Sequence, residues 1–351
     1  MHINLDQLRW HRLTRSGLIN PFSSAEECAE ALIGIQAQVP RAAALAIASR
    51  TGEFSFTEFE FLLYERRSLI RTWGQRDTFH VYRTSDWPKL VTAFCERRSW
   101  AYTKFRKDGG SDAEYERLLR KISETLNSGE SLTRDEISNQ TGIDSSSWGG
   151  FLIDAAYRGF IADAGKRRFS HGSTWFPNLG VMNEREDIYL DLVRRYLHCY
   201  GPARAEDIAF WFKERITVVK NWLAKLDLID ILCDGVIFFA LQEDYDAIAS
   251  LSPPPQVQSW PIIFLYRFDP LLLAHKVKNW IVPADYYTKV WTAAGHVSGV
   301  ILQKGVATAI WRYKKRGNQY SINVVPFAET GISQSVKKEV IRYEKFLQDF
   351  F

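Results

Sequence analysis

Early in the chain, apolar residues recur at helical spacing; late in the chain they alternate as in strands. Residues 5–18 predict a first helix. Residues 24–34 predict a second, capped by Ser24 with Glu27 three positions on. Pro40 disfavours helical geometry at Val39, so the chain leaves the helix within Ile35-Gln36-Ala37-Gln38-Val39-Pro40. An Ala-rich helix over 41–50 and another over 57–65 follow. Residues 69–73 and 78–82 then read as strands about a turn at 74–77. Helices followed by a hairpin are the ingredients of a winged helix, here spanning residues 1–110.

The order recurs. After a linker at Asp108-Gly109-Gly110-Ser111, Thr133 and Glu136 form a capping-box pattern. A helix over 148–159 and a short wing over 160–163 and 167–170 complete a second module, residues 111–185. A third, residues 186–251, has an amphipathic helix over 187–200, a break at Gly201-Pro202 and a helix pair over 205–212 and 217–226. Its wing, over 228–241, turns at Asp234-Gly235. Pro253-Pro254-Pro255 is a stiff connector. Beyond it, residues 256–351 read as a β-rich unit, with strands over 261–266, 297–302, 306–313 and 321–327 and a closing helix over 334–350. The fold class expected is α+β, with three tandem modules and a C-terminal β-rich unit.

Composition changes this picture little. The 351 residues are 46% hydrophobic and 25% charged, an ordinary globular profile. Net charge is +4, which permits a nucleic-acid-facing groove without requiring one. No apolar run approaches the roughly 20 residues of a membrane helix, and the first residues do not form a signal peptide. The four cysteines stand far apart and the seven histidines are scattered, so neither a metal site nor a cofactor is expected. Phosphate-loop, zinc-protease, nucleophile-elbow and dinucleotide motifs are missing from the sequence.

The candidate chemistry lies in Gln36 and Gln38. In extended backbone, side chains two apart point the same way, so both amides can face one site. The plainer alternative is that they cap the helix or sit in solvent. Their surroundings add weight: Leu8-Arg9-Trp10-His11-Arg12-Leu13 before, Pro40-Arg41-Ala42-Ala43-Ala44 after, then Arg66-Arg67-Ser68-Leu69-Ile70-Arg71-Thr72-Trp73-Gly74-Gln75-Arg76-Asp77-Thr78-Phe79-His80. Gly201-Pro202-Ala203, Phe268-Asp269-Pro270-Leu271-Leu272-Leu273 and Ala309-Ile310-Trp311-Arg312 follow in the same order. Over about residues 5–330 this text resembles the winged-helix family of AlkZ-type DNA glycosylases, also called the YcaQ family.

The resemblance implies three winged helices arranged as a C around DNA, with Gln36 and Gln38 as the catalytic pair and a β-hairpin as a lesion-probing wedge. The Gln-x-Gln form is that of the AlkZ-like branch, the other branch carrying Gln-x-Asp. Where family members usually carry Arg-Gly-Thr, this chain has Arg76-Asp77-Thr78, which bears on the turn geometry. Arg41, Arg71, Arg76, Thr78 and His80 are candidate DNA contacts. So are Trp311, Arg312, Lys314, Lys315 and Arg316, where aromatics alternate with a basic turn. His275 and Lys276 are candidates to reach the channel, and Asp269 reads as a turn or cap residue.

Neutral amides suit one kind of leaving group. They transfer no proton at neutral pH but can hold a water and direct carbonyl dipoles at a cationic sugar. An N7-alkylated purine already carries positive charge and leaves without protonation. The expectation is therefore a monofunctional glycosylase, monomeric and without cofactor. It acts on double-stranded DNA with alkylated, and by extension crosslinked, bases in the bacterial cytoplasm at the nucleoid. The alternatives are a non-catalytic winged-helix regulator and a self-resistance protein that sequesters a genotoxin.

Overall fold

The computed structural model describes residues 1–143, 150–178, 185–254, 256–317, 319–329 and 331–351. It combines helix and sheet, as the α+β reading expects. Two compact units emerge, Met1–Phe59 with Leu190–Phe351, and Glu60–Tyr189. They cut across the four expected segments, because the N-terminal helices are held by distant chain. Tyr200 donates to the Leu32 carbonyl at 2.9 Å, and His2 bridges Leu232 in parallel.

In the larger unit, α1 (Leu5–Arg15) begins at an Asn4–Gln7 capping box. Ser24 caps α2 (Ala25–Ala31) by accepting from the Glu27 amide, while the Glu27 carboxylate accepts from the Ser23 amide instead of closing a box. The strand β1 (Ile35–Gln36) follows, then α3 (Pro40–Thr51), with Pro at its first position and a nearly all-buried Ala-rich body. Farther on come the helices Ala205–Phe212 and Ile216–Leu223. The hairpin Leu228–Cys233/Val236–Leu241 turns on Asp234 and Gly235, both at positive φ (48° and 74°). Such paired left-handed residues match the twist of a two-residue hairpin. Ala203 bridges Phe239 on this hairpin's other edge.

The C-terminal strands Ile263–Leu265, Gly299–Gln303, Val306–Arg316 and Gln319–Pro326 form one antiparallel sheet in sequence order. The closing helix Gln334–Phe350 packs Tyr343 on Phe264 and Trp311, with ring centroids 4.5 and 5.2 Å apart.

In the unit Glu60–Tyr189, Leu69–Trp73 and Phe79–Arg83 pair as expected, with Ile70 opposite Tyr82. The helix Asp112–Leu126 was not anticipated, although Tyr115, Leu119, Ile122 and Leu126 are spaced to bury one face. Ser111, read as linker, caps it through a capping box with Glu114. Thr133 and Glu136 form the expected box at Arg134–Thr141. The wing strands Ile161–Asp163 and Arg168–His171 gain a third partner, Leu132–Thr133. Of the helix expected over 148–159, Gly150–Tyr157 is observed, and Trp148 lies outside the described residues.

Candidate functional site

The glutamine motif follows a tightly specified helix end. The Gly34 amide donates to the Ala29 carbonyl at 2.9 Å and the Ile33 amide to the Glu30 carbonyl at 3.0 Å, the Schellman pattern. That motif needs a left-handed residue where α2 ends, and here it is Ile33 at φ 52°. A β-branched side chain is strained in this region. Ile33 is 2% exposed, so its burial offsets the strain. Gly34, also at positive φ (86°), completes the reversal into β1.

Gln36 then lies on a strand and is 7% exposed, Ala37 is fully buried, and Gln38 is exposed. Val39 is extended (φ −118°, ψ 104°) before Pro40 opens α3. Gln36 and Gln38 thus occupy positions of equal parity either side of a buried alanine, the first largely enclosed and the second open to solvent. Arg41, exposed in the first turn of α3, lies over the Phe351 and Phe56 rings at 5.0 and 5.6 Å. A cation there opposes the helix dipole, and no acidic residue in that turn compensates it.

The C-terminal hairpin Val306–Arg316/Gln319–Pro326 sorts its side chains by parity. Trp311 faces inward at 2% exposure and donates its indole N–H to the Leu265 carbonyl at 2.9 Å. Its expected contact with DNA is corrected to a core role. Arg312, Lys314 and Arg316 are exposed on the opposite face, across from Asn323, Ser321 and Gln319. No carboxylate sits opposite any of the three, so this face is a positive stripe with neutral hydrogen-bonding groups beside it. Lys315, of the other parity, is exposed but lies over the Tyr320 ring at 5.4 Å. Asn318 lies outside the described residues.

The Arg71–His80 cluster in the smaller unit is less open than its charges suggest. Arg71 is 9% exposed, paired with Asp163 at 2.8 Å and stacked on Phe79 at 4.1 Å, so it serves the interior and not a phosphate. His80 is fully buried. It donates from Nδ1 to the Thr78 carbonyl at 2.9 Å, and Nε2 stands 3.4 Å from the Arg76 guanidinium. Burial first, and then Arg76, hold its pKa well below the usual value, so it stays neutral. His80 therefore orients Arg76 and makes no outward contact of its own. Arg76 and Thr78 are half-buried at the turn. Arg76 and Asp77 are both left-handed, at φ 60° and 58°. Aspartate tolerates this conformation, and its carboxylate accepts from the Tyr157 hydroxyl. Asp77 thus occupies a left-handed turn position where the sequence offers no glycine.

Sequence reading missed Arg50. At the C-terminal end of α3 its guanidinium meets the Asp269 carboxylate twice, at 2.9 and 2.8 Å, with both side chains fully buried. It also donates to the Ser16 and Ala46 carbonyls at 2.9 Å. Burial opposes the Arg50 charge, but Asp269 outweighs it and holds the guanidinium above its ordinary pKa. Asp269 caps Pro270–Leu273 as expected, accepting from the Leu271 amide at 3.0 Å. His275 is 1% exposed and bonded through Nε2 to the Tyr200 carbonyl, so it belongs to the core. Lys276 is exposed. Among the described residues no group of three or more His, Cys, Asp or Glu is placed to hold a metal, and no helix is long and apolar enough to cross a membrane.

A family model described as "DNA glycosylase AlkZ-like" matches residues 29–346. An interstrand DNA cross-link repair glycosylase from Streptomyces sahachiroi is 26% identical over 329 residues, covering 88% of this chain and 86% of that protein. The solved structure of the Streptomyces sahachiroi DNA glycosylase AlkZ has the same fold, with a TM-score of 0.83 at 23% identity over 98% of this chain and 95% of that one.

Proposed function

From the premise that the chain belongs to the AlkZ-like family of DNA glycosylases, which hydrolyse N-glycosyl bonds, we propose that it releases N7-alkylated purines from DNA. Crosslinked purines are included, by analogy with the relative named for that repair. The observation that carries this reading is the paired amides. Gln36 and Gln38 are uncharged, separated by one buried residue, and set where α2 and its Schellman turn give way to β1. Gln36, enclosed, holds the attacking water by one donated and one accepted hydrogen bond. Both carbonyl dipoles favour the positive charge that develops on the sugar. A glycosidic bond to a normal base is left intact, because nothing here protonates the departing base. An N7-alkylated base needs no such proton.

DNA is held, in this reading, by three winged-helix modules. The outward hairpin face of Arg312, Lys314 and Arg316, with Arg41 and Arg76, meets phosphates. The protein acts as a monomer, without cofactor, in the cytoplasm. Incubating purified protein with methylated or crosslinked duplex and counting abasic sites tests the activity. Intact DNA after such treatment, with tight binding to one preferred sequence, identifies a regulator instead.

The hairpin is tested separately. Replacing Arg312, Lys314 and Arg316 together by Gln should weaken DNA binding regardless of sequence. If each meets one phosphate, the slope of log K against log salt falls by about 2.7, at roughly 0.9 per contact. An unchanged slope removes this face from the interface.

A further inference from the structure

Where the strand Gly299–Gln303 ends, its neighbour Val306–Arg316 runs on. Gly299 pairs with Trp311, and from Arg312 to Arg316 the longer strand has only Gln319–Pro326 beside it among the described residues. A cavity of about 240 Å³ opens at this step, walled by the chain that leaves Ile263–Leu265 and by the segment that leads into Gly299. Its charged lining has one sign: Arg267 and Arg312 line it, and no aspartate or glutamate does.

Arg267 is half-buried, with its guanidinium 5.1 Å over the Phe268 ring. Its Nη2 donates at 2.5 Å to Nδ1 of the exposed His296, whose lone pair accepts the bond but leaves the positive charge uncompensated. Among the described residues neither Arg267 nor the exposed Arg312 has a carboxylate partner. The hydroxyls beside them add no negative charge. Ser298 donates to the Lys289 carbonyl at 3.3 Å, and Thr292 accepts from the His296 amide at 3.2 Å. Burial first, and then Tyr313, hold the Tyr266 phenol above its ordinary pKa, so it stays protonated. Val297, Gly299 and Trp311 complete the wall, and the Trp311 indole N–H is already bonded to the Leu265 carbonyl. Two like charges beside one space repel each other unless an anion lies between them.

We propose that this cavity seats one phosphate of the DNA backbone, its two unesterified oxygens accepting from Arg267 and Arg312. One guanidinium fork fills a planar carboxylate, whereas a tetrahedral phosphate turns oxygens toward two guanidiniums arriving from different segments. Arg312 also begins the outward stripe that continues through Lys314 and Arg316, so DNA lying along the stripe reaches the cavity at the base of the hairpin. Assigning the phosphate to DNA rests on the function proposed above, to which Arg267 is an added contact.

The full-length protein is tested on undamaged duplex, so the outcome does not depend on base release. Arg267→Gln should lower the slope of log K against log salt by about 0.9, the value of one phosphate contact. Arg267→Lys should restore the slope but only part of the affinity, since an ammonium keeps the charge and loses the fork. Single methylphosphonates, each neutralising one phosphate, are then scanned along the duplex. One position should weaken the wild type roughly tenfold, as expected for a lost charge-assisted bond, and leave Arg267→Gln unaffected. Thr292→Asp, at an exposed position, puts a carboxylate into the cavity with Arg267 intact and should silence the same position. An unchanged slope, or a scan in which every sensitive position stays sensitive in both variants, overturns the proposal. Inorganic phosphate is compared with chloride at matched ionic strength to separate the two sources of the anion. Displacement of duplex by phosphate that requires Arg267, with no position silenced, assigns the cavity to the free ion and overturns the DNA contact. A protein that releases no base can still pass, and one that releases bases can still fail.

Discussion

Gln36→Ala should lower the rate of 7-methylguanine release from methylated duplex by roughly 10²–10³-fold, the usual loss when one preorganised charge-stabilising group is removed. Affinity for the same DNA should change little, since an uncharged amide neutralises no phosphate. Gln36 is the more enclosed of the pair, at 7% exposure, so a water it binds is shielded from bulk solvent and its dipole is less screened. Gln38→Ala should cost less, because exposed Gln38 works in a higher dielectric. If both hold one water, the double variant should fall well short of the product of the single effects. The wild-type rate should stay flat between about pH 6 and pH 8, as neither amide titrates. Single-turnover release with fluorescence anisotropy on the same duplex separates chemistry from binding. Full activity in Gln36→Ala, with the fold intact by urea denaturation, removes the amides from the mechanism.

How much of this could be read from the sequence follows from the range of the interactions involved. The Asp234-Gly235 turn, the Thr133–Glu136 box, the Ser24 cap and the closing helix are set by neighbours within four residues, so their chemistry is visible in a window. The hairpin shows how a correct local reading can still mislead. From the sequence, Trp311, Arg312 and Lys314 all read as candidate DNA contacts. Strand geometry splits this run, sending Trp311 inward and leaving Arg312 and Lys314 outside. Applying the two-residue period to that run would have predicted the split. Arg71 could not be recovered that way. All five residues of its strand are buried, and the partner that neutralises it, Asp163, lies far along the chain. The division into units was hidden for the same reason. It depends on contacts such as Tyr200 with Leu32, to which no local pattern points.

The Arg50–Asp269 pair is the extreme of that class, its partners 219 positions apart, and it carries the other large expected effect. Asp269→Ala should destabilise the protein by about 3–5 kcal/mol, because it leaves a guanidinium in the interior with no counter-charge. It also removes the cap of Pro270–Leu273. Asp269→Asn keeps a capping oxygen and an isosteric shape, so the difference between the two variants reports the cap apart from the charge. Replacing both partners, as Arg50→Met with Asp269→Leu, should recover much of the loss, since an apolar pair carries no desolvation penalty. Urea midpoints of the wild type, Arg50→Met, Asp269→Leu and the combined variant form a double-mutant cycle, and additive losses would show that the two side chains are not coupled. The pair's position ties this result to catalysis. Arg50 lies at one end of α3, and the other end starts two residues after Gln38. A helix anchored at its far end by two charge-assisted bonds fixes where its first turn sits. Asp269→Asn, assayed where it remains folded, should therefore lower release of 7-methylguanine more than it lowers DNA affinity. Equal losses in both would confine the pair to stability.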